Sequence, residues 1–221
     1  MAIVMSLKLQ LRNHLKISGF GYRFKLNSIF LYGTLCDKEL LEVCLGRSLD
    51  KVKIFNAKLE NHSVFWVKNR NFPVIKFNQG SFALGLAVFD LKDCDLERLD
   101  FYEGSFNYEL RQVDILLERN NIFSFDDKVK AYVYFNCDDK TEGNKDWSLD
   151  EWQQRYGLIS RLVAKEYMAL QSSLGETDLL SEYKKIYDRL TAKLKNKALN
   201  SSEMDIVIRF NRSWLEPIFY F

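Results

Sequence analysis

Ile29-Phe30-Leu31-Tyr32-Gly33-Thr34-Leu35 runs three apolar residues into a tyrosine and then breaks at glycine. A short apolar run closed by glycine reads as a buried strand entering a tight turn. Asp37 then opens a helical pattern, with Leu40, Leu41, Cys44 and Leu45 on one side, and Gly46 is its stop. Gly33 lets the backbone bend and lets another group come close to it. The amides of Gly33, Thr34 and Leu35, or those of the helix's first turn, have no partner in their own chain segment. Donors placed this way suit a carboxylate, a phosphate or a developing oxyanion. The plainer reading of the same residues is an ordinary strand-to-helix turn.

Outward from this stretch, Lys51–Leu59 and His62–Val67 read as two strands. Asn69–Asn71 is a turn, and Pro73 limits Phe72–Phe77 to an edge or short strand. Asn78-Gln79-Gly80-Ser81 has turn chemistry, and Phe82–Phe89 is a further buried strand, in which Gly85 signals a bulge or a close neighbour. Asp93–Tyr102 switches to helical period and ends at Glu103-Gly104-Ser105. Tyr108–Glu118 and Lys130–Phe135 read as strands either side of a polar and aromatic loop, Asn120–Asp127. Six or so strands interrupted by only two short helices predict an α+β fold with a small mixed or antiparallel barrel, and not a doubly wound sheet.

Ser148, with Glu151 three residues on, has the form of a capping box opening a helix from Leu149 to about Gln171. Its regular apolar face, Trp152, Tyr156, Ile159, Val163, Tyr167 and Leu170, is expected on the sheet. A second helix, Leu179–Leu199, is rich in lysine and reads as solvated. Met204–Phe221 is strongly apolar and aromatic, so it is expected to dock or to pair with a partner, which leaves room for a homodimer.

Lys and Arg number 32 against 30 Asp and Glu, a formal charge of +2 that gives no global argument for nucleic acid. Residues 1–28 are the exception: they carry Lys8, Arg12, Lys16, Arg23 and Lys25 with no acid. A nucleic-acid or membrane-surface role through this extension is a separate reading; the expectation is neither partner. Cys36, Cys44, Cys94 and Cys137 show no CxxC spacing and read as thiols of a reducing compartment, hence a cytoplasmic protein. With only His14 and His62, a histidine-rich metal site is not expected. No apolar run reaches the roughly 18 residues that a membrane-spanning helix needs.

Glu103 is the acid to single out. It sits at a helix end among apolar groups, where desolvation raises a carboxyl's pKa and suits it to proton transfer. Tyr108, Tyr132 and Tyr134 lie on the strands that follow, and tyrosine hydroxyls can fix a carboxylate or an amine. Cys36 with His62 and a carboxylate is a weaker reading, a cysteine nucleophile site.

Tyr32-Gly33-Thr34-Leu35, followed by Asp100-Phe101-Tyr102-Glu103-Gly104 and then Tyr108, resembles the γ-glutamylcyclotransferase-like (AIG2-like) superfamily over roughly Ile29 to Gln171. The resemblance implies a domain over 29–171, a basic extension at 1–28 and a helical and apolar extension at 172–221. It implies a small β-barrel flanked by helices. It implies a Tyr-Gly-x-Leu loop that binds a γ-glutamyl group and a glutamate, at Glu103, that does the proton work. The implied substrate-binding set is Tyr32, Gly33, Thr34, Leu35, Tyr108 and Tyr134. The reaction releases 5-oxoproline from a γ-glutamyl amino acid, peptide or amine and needs no metal or organic cofactor. The alternative is a non-catalytic module of the same fold that binds a small carboxylate.

Overall fold

The computed structural model describes residues 28–103, 108–118, 125–136, 143, 145–172 and 179–196. The N-terminal basic extension and the apolar segment Met204–Phe221 lie outside these, as do Gly104 and Ser105. The chain divides into two compact units, residues 1–149 and 150–221.

The first unit is a closed barrel of five strands in the order β1-β3-β2-β4-β5. The strands are β1 (Ser28–Leu31), β2 (Lys53–Trp66), β3 (Pro73–Phe89), β4 (Tyr108–Glu118) and β5 (Phe125–Asn136). Neighbours are antiparallel except at closure, where β1 lies parallel to β5 with Ile29 opposite Tyr132. The barrel is therefore mixed. A barrel of few strands has a narrow interior, and the inward positions are accordingly small: Ala57, Ala83, Ala87 and Ala131 join Phe30, Leu59, Ile75, Ile115 and Val133 in the core. All four residues of β1 are buried, which is why Ile29–Leu31 is continuously apolar rather than alternating, and the buried Ser28 hydroxyl donates to Lys130 O at 2.7 Å.

β1 stops at Leu31, short of the expected Leu35. Gly33 (φ −118°, ψ −139°) turns the chain into a single 3-10 turn, Thr34–Cys36. α1 (Lys38–Leu45) follows at once, capped by the Asp37 carboxylate on Leu40 N–H at 2.8 Å and ended by Gly46 in the left-handed region at φ 68°. α2 (Asp93–Glu103) joins β3 to the rest of the barrel and has Glu103 as its last residue.

Two pairs of expected strands are each one. β2 runs unbroken through Asn61, and β3 runs from Pro73 to Phe89. The ladder skips from the Glu60–Phe82 pair to the His62–Phe77 pair, so the turn chemistry of residues 78–81 forms a bulged excursion and does not end the strand. Asn61 at φ 56° and Gly80 at φ 79° supply the bend, and Asn61 Oδ1 accepts the Gly80 N–H at 3.0 Å. Pro73 begins β3, the place where its missing N–H costs no ladder bond. Phe82 and Leu84 point outward and are exposed, so the 82–89 segment alternates instead of being buried throughout. β5 also starts five residues before the expected Lys130 and takes in part of the expected loop. At the far end of β2, the segment around Asp146 adds one bridge to Phe65, with Trp66 N–H donating to Lys145 O and Trp147 N–H to Val64 O.

After α3 (Leu149–Trp152), whose first residue ends the first unit, the second unit holds a π-helical turn (Gln153–Gly157), α4 (Leu158–Ala169) and α5 (Leu179–Lys195). The helix expected from Leu149 is thus present, interrupted by the π turn. α5 shows lysines to solvent as expected, yet it buries Ile186 and Leu190 and packs on α4, with the Tyr167 and Tyr183 rings edge to face at 5.4 Å. Among the described residues no helix is long and apolar enough to cross a membrane.

Candidate active site

The turn after β1 is shaped by what lies against it. A Cβ on Gly33 would sit 2.8 Å from Cγ of Pro73, so glycine is required by a close approach and not by a positive φ. Cys36 N–H donates to Gly33 O and Asp37 N–H to Thr34 O, both at 3.0 Å. The amides of Thr34 and Leu35 head this turn and have no acceptor within it.

Tyr32 is buried in the barrel core. Its hydroxyl donates to the Tyr134 carbonyl at 2.9 Å, across the β1–β5 closure. That bond ties the end of β1 to β5 beneath the turn. The role this gives Tyr32 is to hold the turn, with its hydroxyl spent on main chain.

Glu103 keeps part of its surface open, but protein surrounds its carboxyl closely enough that desolvation pushes its pKa up to about 7. Three tyrosines lie within range of its charge. Tyr32, Tyr108 and Tyr134 are all raised above the usual phenol range, first by burial and then by neighbours that include Glu103 in each case. Tyr32 also feels Tyr108. Asp100, one helical turn before Glu103, acts on Tyr134 as well. The Tyr108 and Tyr134 rings stand edge to face with centroids 6.4 Å apart, on the paired strands β4 and β5. The Tyr134 hydroxyl is buried and, among the described residues, has no hydrogen-bond partner. Leaving a buried hydroxyl unsatisfied costs about 1–3 kcal/mol.

Tyr132 is on β5 opposite Ile29 and joins none of these interactions. Cys36 and His62 are not brought together. The Cys36 thiol donates to Leu31 O at 3.1 Å, and burial pushes its pKa up to about 12, which removes the thiolate a nucleophile needs. His62 lies within β2, its ring against Phe77 and Phe135 and its Nδ1 2.8 Å from Glu60 O. Among the described residues no group of three or more His, Cys, Asp or Glu is placed to hold a metal ion. Sequence reasoning missed Pro73 as the partner of Gly33. Its only signal was the demand for close approach that Gly33 itself makes, which does not say what approaches.

A closed five-stranded mixed barrel, with a glycine turn after its first strand and a desolvated helix-end glutamate within electrostatic reach of three tyrosines, defines the class of protein, a small mixed barrel flanked by helices. The sequence model of the family described as Gamma-glutamyl cyclotransferase, AIG2-like, matches residues 29–154, and this chain belongs to that family. It is 28% identical to AIG2-like protein B of Arabidopsis thaliana over 59% of this chain and 71% of that protein. It is likewise 28% identical to AIG2-like protein D of the same plant, over 64% of this chain and 89% of that one. A solution structure of an Arabidopsis thaliana protein, 23% identical, aligns with 71% of this chain and 98% of its own at a TM-score of 0.45.

Proposed function

We propose that this protein is a γ-glutamyl cyclotransferase that releases 5-oxoproline from a γ-glutamyl amino acid, peptide or amine. The observation that carries the reading is Glu103, a carboxyl with its pKa lifted to about 7 by desolvation and within electrostatic reach of the tyrosine that precedes the Gly33–Leu35 turn. Family membership supports the reaction class.

The substrate's α-amine attacks its own γ-carbonyl carbon. A C–N bond closes the five-membered lactam while the C–N bond to the leaving amine breaks. Glu103, as carboxylate, takes the proton from the attacking nitrogen and returns it to the departing one, so the enzyme ends as it began. The turn amides hold the substrate's α-carboxylate or the oxyanion. Tyr134's hydroxyl is a donor for a further substrate oxygen. Folding the substrate into an attacking conformation supplies much of the rate, since a ring closure gains from fixed geometry. No step calls on a metal or an organic cofactor.

The test is 5-oxoproline release over a panel of γ-glutamyl amino acids, peptides and amines. On the best substrate Glu103→Gln is expected to lower kcat/KM by about 10²–10⁴-fold. Undiminished activity in that variant would remove Glu103 from the mechanism. Binding of a small carboxylate with no turnover of any panel member would establish the binding-module alternative.

A further inference from the structure

The two halves of the site ride on different helices. The donor turn runs into α1 without an intervening loop, and the acid sits at the end of α2. What fixes one to the other is printed in two arginines. Arg98, on α2, reaches across to the C-terminal end of α1: its Nε donates to Cys44 O at 2.7 Å and its Nη2 to Val43 O at 3.3 Å. Those are among the last carbonyls of α1, where intrahelical donors run out; Val43 O also accepts the Gly46 N–H at 3.2 Å. The lane for the guanidinium exists because residue 46 is glycine; a Cβ there would sit 2.9 Å from Arg98 Cζ. Arg47, just past α1, forks onto Asp95 in the first turn of α2, Nε to Oδ1 at 2.9 Å and Nη2 to Oδ2 at 2.7 Å. Asp95 is only 1% exposed, and it also accepts Lys92 N–H at 2.8 Å.

We propose that Arg98 is a positioning residue for the γ-glutamyl chemistry, gripping the end of α1 so that Glu103 is held against the Gly33–Leu35 turn; the proposal rests on the function proposed above. Arg98 precedes Glu103 by five positions on one helix, about 7.5 Å along the axis. α1 is rigidly continuous with the turn through Asp37, whose N–H bonds Thr34 O and whose carboxylate caps the helix. The Arg98 clamp therefore joins acid to donors through the helix link nearer Glu103 in sequence, with Arg47–Asp95 as a second link at the start of α2, and through two short segments. It also lies beside the site: the buried Cys44 thiol, raised first by burial, is raised further by Glu103 and lowered by Arg98. A misplacement of about 1 Å costs on the order of 100-fold in rate, so a clamp that sets this spacing is worth as much as a group that touches substrate.

The test uses the full chain with Arg98→Met and Arg98→Lys, each also in the Glu103→Gln background. Arg98→Met is expected to lower kcat by about 10–100-fold while KM moves less than about twofold. Its acid limb of kcat/KM is expected to move from near pH 7 toward the ordinary carboxylate range, because a loosened α2 admits water to Glu103. Arg98→Lys keeps the charge and one donor and is expected to fall between; it carries the same test should Arg98→Met not fold. In the Glu103→Gln background either substitution is expected to cost almost nothing more, since there is no acid left to position. An equal loss in both backgrounds, or a kcat and acid limb unmoved in the wild-type background, would overturn the clamp. Absence of 5-oxoproline from every panel member with the wild-type chain would instead bring down the proposed function and the clamp with it, and is told apart because the wild type alone reveals it.

Discussion

Gly33 and Glu103 show how far single residues could be read. Both stood out in the sequence because each breaks a local rule: a glycine at the end of an apolar run, and an acid among apolar neighbours at a helix end. Pro73 and Arg98 did not, although the first shapes the turn and the second grips α1. Proline at the start of a strand and arginine on a helix break no local rule, and their partners are remote; Arg98 meets Cys44 54 residues away in the chain. The Gly33–Pro73 pair yields a prediction at this scale. Gly33→Ala puts a methyl 2.8 Å from the proline ring, and overpacking of this kind costs about 1–3 kcal/mol. The turn is expected to shift, lowering kcat/KM by about tenfold or more. Pro73→Ala removes the opposing Cγ, so the double variant is expected to recover much of both the thermal midpoint and kcat/KM. A double-mutant cycle that came out additive would show that the two side chains do not meet.

At the scale of elements, type was legible and extent was not. β4 begins and ends where its alternation does, and α2 exceeds its expected range by one residue. β3 reads as two strands because residues 78–81 carry real turn chemistry and no local window shows that the strand resumes with the same partner beyond it. α5 read as solvated because its lysines outnumber the two residues it buries most deeply, Ile186 and Leu190. Gly85 was correctly ambiguous, a bulge or a close neighbour, and the structure gives the second. A Cβ there would lie 2.1 Å from Leu31 O and 2.8 Å from Phe30 Cζ. That atom pair belongs to β1, the strand that closes the barrel against β5. Backbone cannot yield as a flexible side chain does, so Gly85→Ala is expected to push β1 away and to cost about 3 kcal/mol or more. The check is thermal unfolding followed by far-ultraviolet circular dichroism. A midpoint within two or three degrees of wild type would mean that β1 does not pass so close to β3.

For the whole molecule, six or so expected strands and two short helices sufficed to anticipate a small mixed or antiparallel barrel, while closure of five strands through one parallel pair lay beyond any local pattern. The same desolvation that equips Glu103 for catalysis also couples activity to stability with opposite signs. As a base the group must be ionised, so kcat/KM is expected to rise through about pH 7. Its folded pKa lies above the ordinary value of 4.5, so the folded state binds the proton more tightly than the unfolded chain does. Stability from this group is therefore fully present below about pH 4.5 and is lost as pH rises through about 7. The difference is at most roughly 3.5 kcal/mol, at about 1.4 kcal/mol per pKa unit. Other groups titrate over the same range, so the informative quantity is the stability of Glu103→Gln minus that of wild type. Glutamine is neutral throughout, and this difference is expected to be more favourable to the variant at pH 8 than at pH 5, the gap read from thermal or denaturant midpoints on matched samples. A difference that stays constant between the two pH values would mean that water reaches the carboxyl freely in the folded protein. Glu103 would then titrate as a surface acid, without the proton affinity that the proposed chemistry draws on.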